Sequence, residues 1–503
     1  MKLLGCLALL ALAADVVVAR QPLDFLRRKQ LASRQAMPIV PPPIQNRAPK
    51  LNFYTDKTKE FYVPGTSIPD VDFDVGESYA GLLPISSKPH ETRKLFFWFF
   101  PSVTGKAPTD ELVIWLNGGP GCSSMEGLLQ ENGPFLWQSG TFKPVPNDYS
   151  WHKVANMLWV EQPVGTGFTQ GNPNIRNEED MAAQFLGFLE QWLKTFDLEG
   201  RTTYVTGESY AGFYVPYIVD AMYKRNDTSL FNPKGLMIYD PSLSYDAVQE
   251  QMTAYPFVES LTPLFALNAT TMADFKRRHE SCGYANFLEK YLVFPPPGVL
   301  PTPPQLETSP ECDLWTDILN AALQVNPCFN IYHVSDGCPL LWDVLGFPGS
   351  SDYIPPGATV YFNRTDVQKV LHVPPTVWQE CTDTNVFPKG DGSLPSALSV
   401  LPDLIDKNER TLIGHGLLDY VLIKDGSLLA IQNMTWGGAQ GFQERPSTPF
   451  VIPYEGRGTA GIYHTERKLT WFEIDLSGHM VPEYQPTVAY RQLEYLLGRI
   501  KEL

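Results

Sequence analysis

The sequence predicts an α/β fold in which a mainly parallel central sheet is covered by helices on both faces. Three observations carry this expectation. Short apolar runs recur along the chain at strand length, among them KLFFWFF (Lys94 to Phe100), ELVIWLN (Glu111 to Asn117), NMLWVEQ (Asn156 to Gln162) and RTTYVTG (Arg201 to Gly207). Between the last two lies EEDMAAQFLGFLEQWLKTF (Glu178 to Phe196), where Met181, Phe185, Phe188, Leu189 and Trp192 recur at helical spacing behind an acidic first turn. Strands that alternate with helices in this way pair in parallel and need cover on both faces. Third, 503 residues with 43% hydrophobic and 12% aromatic side chains are enough for a large core and argue against disorder.

From the N-terminus, MKLLGCLALLALAADVVVA has a basic Lys2, an apolar run and small residues at Ala13 and Ala19. It reads as a secretory signal peptide, residues 1–19, with cleavage after Ala13 or Ala19 and the latter preferred. Residues 20–50 are basic and proline-rich, with Arg27-Arg28-Lys29 among them. They read either as a mobile arm or as a pro-segment removed at basic residues. Residues 51–503 then form one domain. Further strands are expected at KGLMIYD (Lys234 to Asp240), RTLIGHG (Arg410 to Gly416) and LTWFEID (Leu469 to Asp475), and a closing helix from Gln485 to Arg499. The alternation breaks between about residues 242 and 349, which hold four cysteines and FPPPGVLPTPP. This is an insertion that either caps a pocket or elaborates the surface.

Charge and cysteine usage narrow the class. A formal charge of −16 disfavours nucleic acid and anionic membrane as partners. Cys6 leaves with the leader, and Cys122, Cys282, Cys312, Cys328, Cys338 and Cys381 remain, an even number in a secretory chain. Three disulfides are expected, with fifteen pairings open. No pair has the spacing of a zinc site, and no metal or organic cofactor is implied. Sequons at Asn226, Asn268, Asn363 and Asn433 suit the same compartment as glycosylation sites. No later apolar run spans a membrane, and the closing IKEL reads as a helix end.

The chemistry centres on GESYA, Gly207 to Ala211, between a strand and a helix-like run. A serine on such a turn is the nucleophile elbow of an α/β-hydrolase, usually G-x-S-x-G, with Ala211 here in the last glycine's place. Ser209 is the candidate nucleophile. In this fold the acid and then the base follow along the chain. His479, in DLSGHMVPEYQP just after the last strand, is the candidate base. Asp419, a few residues beyond RTLIGHG, is the candidate acid, with Asp425 as runner-up; Asp475 lies inside a strand and would point poorly. The glycine-rich WLNGGPGCSS (Trp115 to Ser124) follows a strand, so that the amides of Gly119 and Tyr210 would make an oxyanion hole.

WLNGGPGCSS, EQPVGTGF, GESYAG and SGHMVP together, in order and spacing, resemble the signature segments of the secreted and vacuolar serine carboxypeptidases. The likeness runs from about Asn52 to the C-terminus, and the leader with its basic segment resembles the fungal secreted branch. The resemblance implies hydrolysis of the C-terminal peptide bond of peptides and proteins through an acyl-enzyme on Ser209, Asp419 and His479. It implies that Asn117, Glu131 and Glu208 grip the substrate's free carboxylate, with Trp115 and Gly118 alongside. It pairs Cys122 with Cys381, and suggests nested pairs Cys282–Cys338 and Cys312–Cys328 in the insertion. The family's acid segment often reads G-D-x-D, whereas here it is Gly416-Leu417-Leu418-Asp419, and Leu422 replaces a cysteine found in some relatives.

Two glutamates facing a carboxylate repel it unless they are protonated, so peptide binding is expected to favour acidic pH, while His479 must stay neutral enough to act as base. An acyl transferase to alcohols uses the same triad, but the carboxylate grip favours peptides. A general esterase lacks a use for that grip, and a silent binding scaffold would have lost a triad member. Secretion is expected, with a vacuole-like compartment as the alternative. Residue preference and oligomeric state are not legible at this level.

Overall fold

The computed structural model describes residues 51–103, 111–301, 309–346, 358–453 and 458–503. Residues 1–50, expected as leader and basic segment, therefore lie outside the described residues, as do residues 302–308 and 347–349 of the expected insertion. An eleven-stranded sheet dominates the described residues. In chain order its strands are β1 (Tyr62–Pro64), β2 (Glu77–Pro84), β3 (Lys94–Phe100), β4 (Glu111–Leu116), β5 (Asn156–Glu161), β6 (Thr202–Glu208), β7 (Asn232–Tyr239), β8 (Arg410–Gly416), β9 (Thr448–Ile452), β10 (Gly458–Glu466) and β11 (Leu469–Ile474). In space they run β1-β2-β3-β5-β4-β6-β7-β8-β11-β10-β9. The six central strands, β5 through β11 in that order, pair in parallel, and both flanks are antiparallel.

All seven runs expected as strands are strands, with ends within two residues. KLFFWFF, however, pairs antiparallel to β5, so it opens a flank and does not join the parallel centre. The parallel strands are buried on both faces, as the unbroken burial of Asn156–Glu161 shows. Helix α1 (Glu178–Phe196) begins where Asn177 accepts the Asp180 amide at 2.9 Å and ends on a left-handed Asp197. It lays Met181, Phe185, Phe188, Leu189 and Trp192 on one face of the sheet beside α2 (Ala211–Arg225). The opposite face is covered by a second cluster that includes Trp98, Trp115, Trp151, Trp159 and the last helix.

The stretch after β7 folds as helices α3 (Met252–Ser260), α4 (Ala269–Ser281) and α5 (Leu314–Val325), around a third apolar cluster. That cluster includes Tyr420 and Ile423, which lie just beyond β8; Trp315 stacks on Tyr420 at 5.4 Å and donates Nε1–H to its carbonyl at 2.8 Å. Helix α6 (Lys424–Asn433) follows, and α7 (Pro486–Leu496) closes the chain. The closing helix expected from Gln485 to Arg499 is α7, one residue shorter at its start and three at its end; a separate short turn, Val481–Tyr484, precedes it, and Pro486 starts the helix afresh at its first position.

The disulfides correct one expectation and agree with another. Cys122 pairs with Cys381, across a short bridge in which Ser123 N–H reaches Glu380 O at 2.7 Å and Thr382 N–H reaches Gly121 O at 3.1 Å. The insertion pairs are local, Cys282–Cys312 and Cys328–Cys338, and not the nested Cys282–Cys338 and Cys312–Cys328. The reason is α5, which stands between Cys312 and Cys328. Twelve helical residues span about 18 Å, far beyond the roughly 7 Å that a disulfide bridges between Cα atoms.

Candidate active site

Parallel strands that lie side by side deliver their carboxyl ends to one edge, and four of them do so here. Ser209 follows β6, Asp240 follows β7, Asp419 lies three residues after β8, and the His479 loop follows β11. Ser209 adopts a left-handed backbone, φ 61°, which serine takes only under constraint. Its neighbours supply that constraint. Ser209 N–H is held by Tyr239 O at 3.0 Å, and its carbonyl accepts from Gly212 and Ser242 at 2.9 Å each. A Cβ on Gly207 would stand 2.3 Å from Leu116 O, so this elbow position needs glycine. Ala211 fits in place of the usual last glycine because the close approach has moved one residue on. A Cβ on Gly212 would meet Ser242 O at 2.2 Å.

His479 donates Nδ1–H to Asp419 Oδ2 at 2.7 Å, and both side chains are buried. Burial lowers the imidazole's basicity, but the Asp419 charge and hydrogen bond outweigh it and hold His479 above its ordinary value. Asp419 is further held by the amides of Val421 at 2.8 Å and Leu422 at 3.4 Å. Asp425, the runner-up, instead pairs with Lys424 at 2.5 Å, and Asp475 is exposed just after β11 and not inside the strand as expected. The segment closed by Cys328–Cys338 braces both loops. Tyr332 O accepts His479 N–H at 2.7 Å, Ile331 O accepts Tyr420 N–H at 2.9 Å, and Val334 N–H reaches Leu418 O at 3.0 Å.

Gly118 to Gly121 form the turn that faces the elbow. A Cβ on Gly118 would lie 2.4 Å from Tyr210 N and 2.8 Å from Ser209 Cβ, so glycine lets the turn touch Ser209. Gly119 follows with φ 108°, and no hydrogen bond within the described residues uses the Gly119 or Tyr210 amide. The turn is anchored from behind by Glu161 of EQPVGTGF. Its carboxyl receives Ser123 Oγ–H at 2.5 Å, Trp378 Nε1–H at 2.8 Å and Phe168 N–H at 2.6 Å, and burial raises it to about 7.

Beside the elbow, one oxygen each from Glu126, Glu131 and Glu208 lie within 4.8 Å of one another, all three residues buried. Asn117 Nδ2 donates to Glu208 Oε1 at 2.8 Å and to Glu126 Oε2, while Asn117 Oδ1 accepts Trp115 Nε1–H at 2.8 Å. Trp115 is fully buried, so it orients Asn117 and does not itself line the site. Glu131 projects from a π-helical turn, Gly127–Asn132, and no N–H or hydroxyl reaches either of its oxygens. Burial first lifts all three carboxyls well above the usual carboxylate range; repulsion from Glu208 adds to it at Glu126 and Glu131, and the charges of Asp240, Glu483 and Glu380 add to it at Glu208. Three negative charges this close in a dry site are prohibitive, so the cluster is neutral in acid. Glu126 escaped the sequence reading. Its only signal was an acid set in the apolar stretch MEGLL, five residues before Glu131.

The family model for serine carboxypeptidases matches residues 64–499. A probable serine carboxypeptidase of Arthroderma benhamiae is 52% identical, covering 98% of each chain. Serine-type carboxypeptidase F of Aspergillus niger is 46% identical over 96% of this chain and 93% of its own. Among solved structures, Kex1(delta)p, a prohormone-processing carboxypeptidase of Saccharomyces cerevisiae, shares the fold with a TM-score of 0.70 at 24% identity, over 88% of this chain and 96% of that one. With an α/β-hydrolase elbow, a buried acid–imidazole pair and this degree of similarity along nearly its whole length, the chain belongs to the serine carboxypeptidase family.

Proposed function

We propose that the family's activity, hydrolysis of the C-terminal peptide bond, is carried out here by Ser209, His479 and Asp419 through an acyl-enzyme, with peptide binding favoured in acid. His479 Nε2 takes the Ser209 hydroxyl proton as Oγ attacks the scissile carbonyl. The amides of Gly119 and Tyr210 donate to the oxyanion that forms. His479 then passes the proton to the leaving amine, the C–N bond breaks, and water releases the acyl group by the same steps in reverse. The leaving residue's carboxylate receives hydrogens from neutral Glu131 and Glu208, from Gly118 N–H and from Asn117, which gives up one of its present glutamate partners. The observation that carries this reading is the buried carboxyl cluster beside the elbow together with a buried Asp419–His479 pair at 2.7 Å. The test is mass spectrometry of a peptide incubated with wild type and with Ser209→Ala. Stepwise loss of single C-terminal residues by wild type alone supports the assignment. Trimming by Ser209→Ala at the wild-type rate would overturn it, and ester formation with an added alcohol in place of hydrolysis would assign acyl transfer.

Secretion is part of the same proposal, with residues 1–19 as leader, 20–50 as pro-segment and 242–349 as a cap. No helix among the described residues is long and apolar enough to cross a membrane. Asn226 and Asn268 are exposed and suit glycosylation. Asn363 and Asn433 are half-buried and already bonded, Asn363 to the Trp378 backbone and Asn433 to Leu300 N–H at 2.9 Å, so the glycans are expected first on the exposed pair.

A further inference from the structure

A second acid–imidazole pair sits directly behind the first. Asp240, fully buried at the end of β7, accepts Gly416 N–H at 2.8 Å through Oδ1, and His415 Nδ1 lies 2.8 Å from the same oxygen. Its own N–H is held by Gly414 O at 2.8 Å, and its backbone is left-handed, φ 41°. The β7 end is thus pinned to the three residues that close β8, just before Asp419. Asp240 Oδ2 is buried and meets no N–H or hydroxyl donor. One ligand atom each of Asp240, His415 and Asp419 lie within 4.8 Å of one another.

Two buried carboxylates at that separation cannot both be ionised without a cation between them. His415 does not supply one, because burial pushes its imidazole down to about 4, and His479 supplies none in the neutral form that acts as base. One of the two acids therefore carries a proton. Asp419 receives His479 and two backbone amides, the surroundings of a carboxylate, whereas Asp240 Oδ2 receives nothing. Burial, then the Asp419 charge, raises Asp240 well above the usual range, in keeping with that choice. The ionisable groups facing Asp240 are His415 and Asp419 from the β8 end, His479 from the loop after β11, Glu208 from the β6 end and Tyr239 from its own strand.

Resting on the triad assignment above, we propose that Asp240 is a positioning residue that, with His415, fixes the strand end beneath Asp419 and donates its Oδ2 hydrogen to the Asp419 carboxylate. That hydrogen bond draws charge away from Asp419 and so restrains the basicity of His479, which extends the range of acid in which the imidazole is free to act as base. Asp240→Asn preserves the shape, the acceptor and a donor, so it is expected to keep kcat within about threefold and to leave the acidic limb of kcat/KM in place. Asp240→Ala removes the donor. It is expected to lower kcat at least about tenfold with KM little changed, and to move the acidic limb up by about half a pH unit or more. Circular dichroism and thermal melting establish that each variant folds.

A folded Asp240→Asn whose acidic limb moves down by about one pH unit would show an ionised Asp240 and overturn the proposal, even if Asp240→Ala does not fold. An Asp240→Ala that folds and keeps the wild-type limb would overturn it equally. Asp419→Ala, assayed alongside, separates the two levels. If it is inactive while Asp240→Ala matches wild type, only this inference falls. If it retains activity, the triad assignment falls and takes the inference with it.

Discussion

Glu126 adds a third carboxyl to the two of the proposed carboxylate grip, and its consequence is electrostatic. It shares the Asn117 amide with Glu208 and raises Glu131 by repulsion. Replacing it with glutamine removes one negative neighbour, so Glu131 and Glu208 ionise at lower pH. Peptide KM in Glu126→Gln is expected to begin rising at a pH about half a unit to one unit lower than in wild type, while kcat on an ester without a free carboxylate is unchanged. KM measured against pH on both substrates checks this. An unmoved KM profile would remove Glu126 from the grip. The sequence showed Glu208 through its place in the GESYAG segment, and Glu131, in LLQENGP, through the family resemblance. Glu126, Asp240 and His415 carry no such mark. Asp240 and His415 are separated by 175 positions and meet only because β7 and β8 are neighbours.

The two insertion disulfides serve different elements. Cys328–Cys338 closes the segment whose backbone holds His479, Tyr420 and Leu418. Cys282–Cys312 ties the end of α4 to the turn before α5, and no backbone of its segment bonds to those loops among the described residues. Cys328→Ser/Cys338→Ser is therefore expected to lower kcat by about tenfold or more. Cys282→Ser/Cys312→Ser is expected to lower the melting temperature, with a loss of about 2–4 kcal/mol, and to keep kcat within about twofold. Steady-state kinetics and melting curves on the two variants distinguish these outcomes. At the elbow, Gly212→Ala is expected to destabilise by about 1–3 kcal/mol or prevent folding, since Ser242 O occupies the space, and chemical denaturation reads it. Among the elements, the buried parallel strands were legible because burial on both faces makes them unbroken apolar runs. Strands β2 and β10 were not. Gly81 and Pro84 interrupt one, and GTAGIYHTE is half-exposed on the antiparallel flank, so neither shows a clean period. The disulfide pairing was open because it depends on where α5 points its ends.

At the scale of the whole molecule, buried carboxyls tie stability to acid. Glu161 is raised to about 7 by burial, Glu250 to about 8 by burial and its acidic neighbours, and burial also raises Glu126, Glu131, Glu178, Glu208 and Glu380 well above the usual range. For such groups the folded state binds more protons than the unfolded state. Their contribution is complete below the unfolded value near 4.5 and declines as pH rises through 7 to 8. The melting temperature is expected to fall by about 5 °C or more between about pH 5 and about pH 8, and a flat profile would contradict the neutral assignments. The acidic surface acts in the same direction, since its charge grows over that range.

The grip and the triad together make one prediction that neither makes alone. The free carboxylate of a peptide gains from neutral Glu126, Glu131 and Glu208 and loses when they ionise, whereas a C-terminal amide carries no charge to repel. The direct measurement is the ratio of kcat/KM for a blocked dipeptide to that for its C-terminal amide, from about pH 4 to about pH 8. The ratio should be at least about tenfold in acid and should collapse as pH rises, with both activities abolished in Ser209→Ala. A ratio near one at every pH, or one that climbs with pH, would contradict a protonated carboxyl cluster as the element that selects the chain's C-terminus.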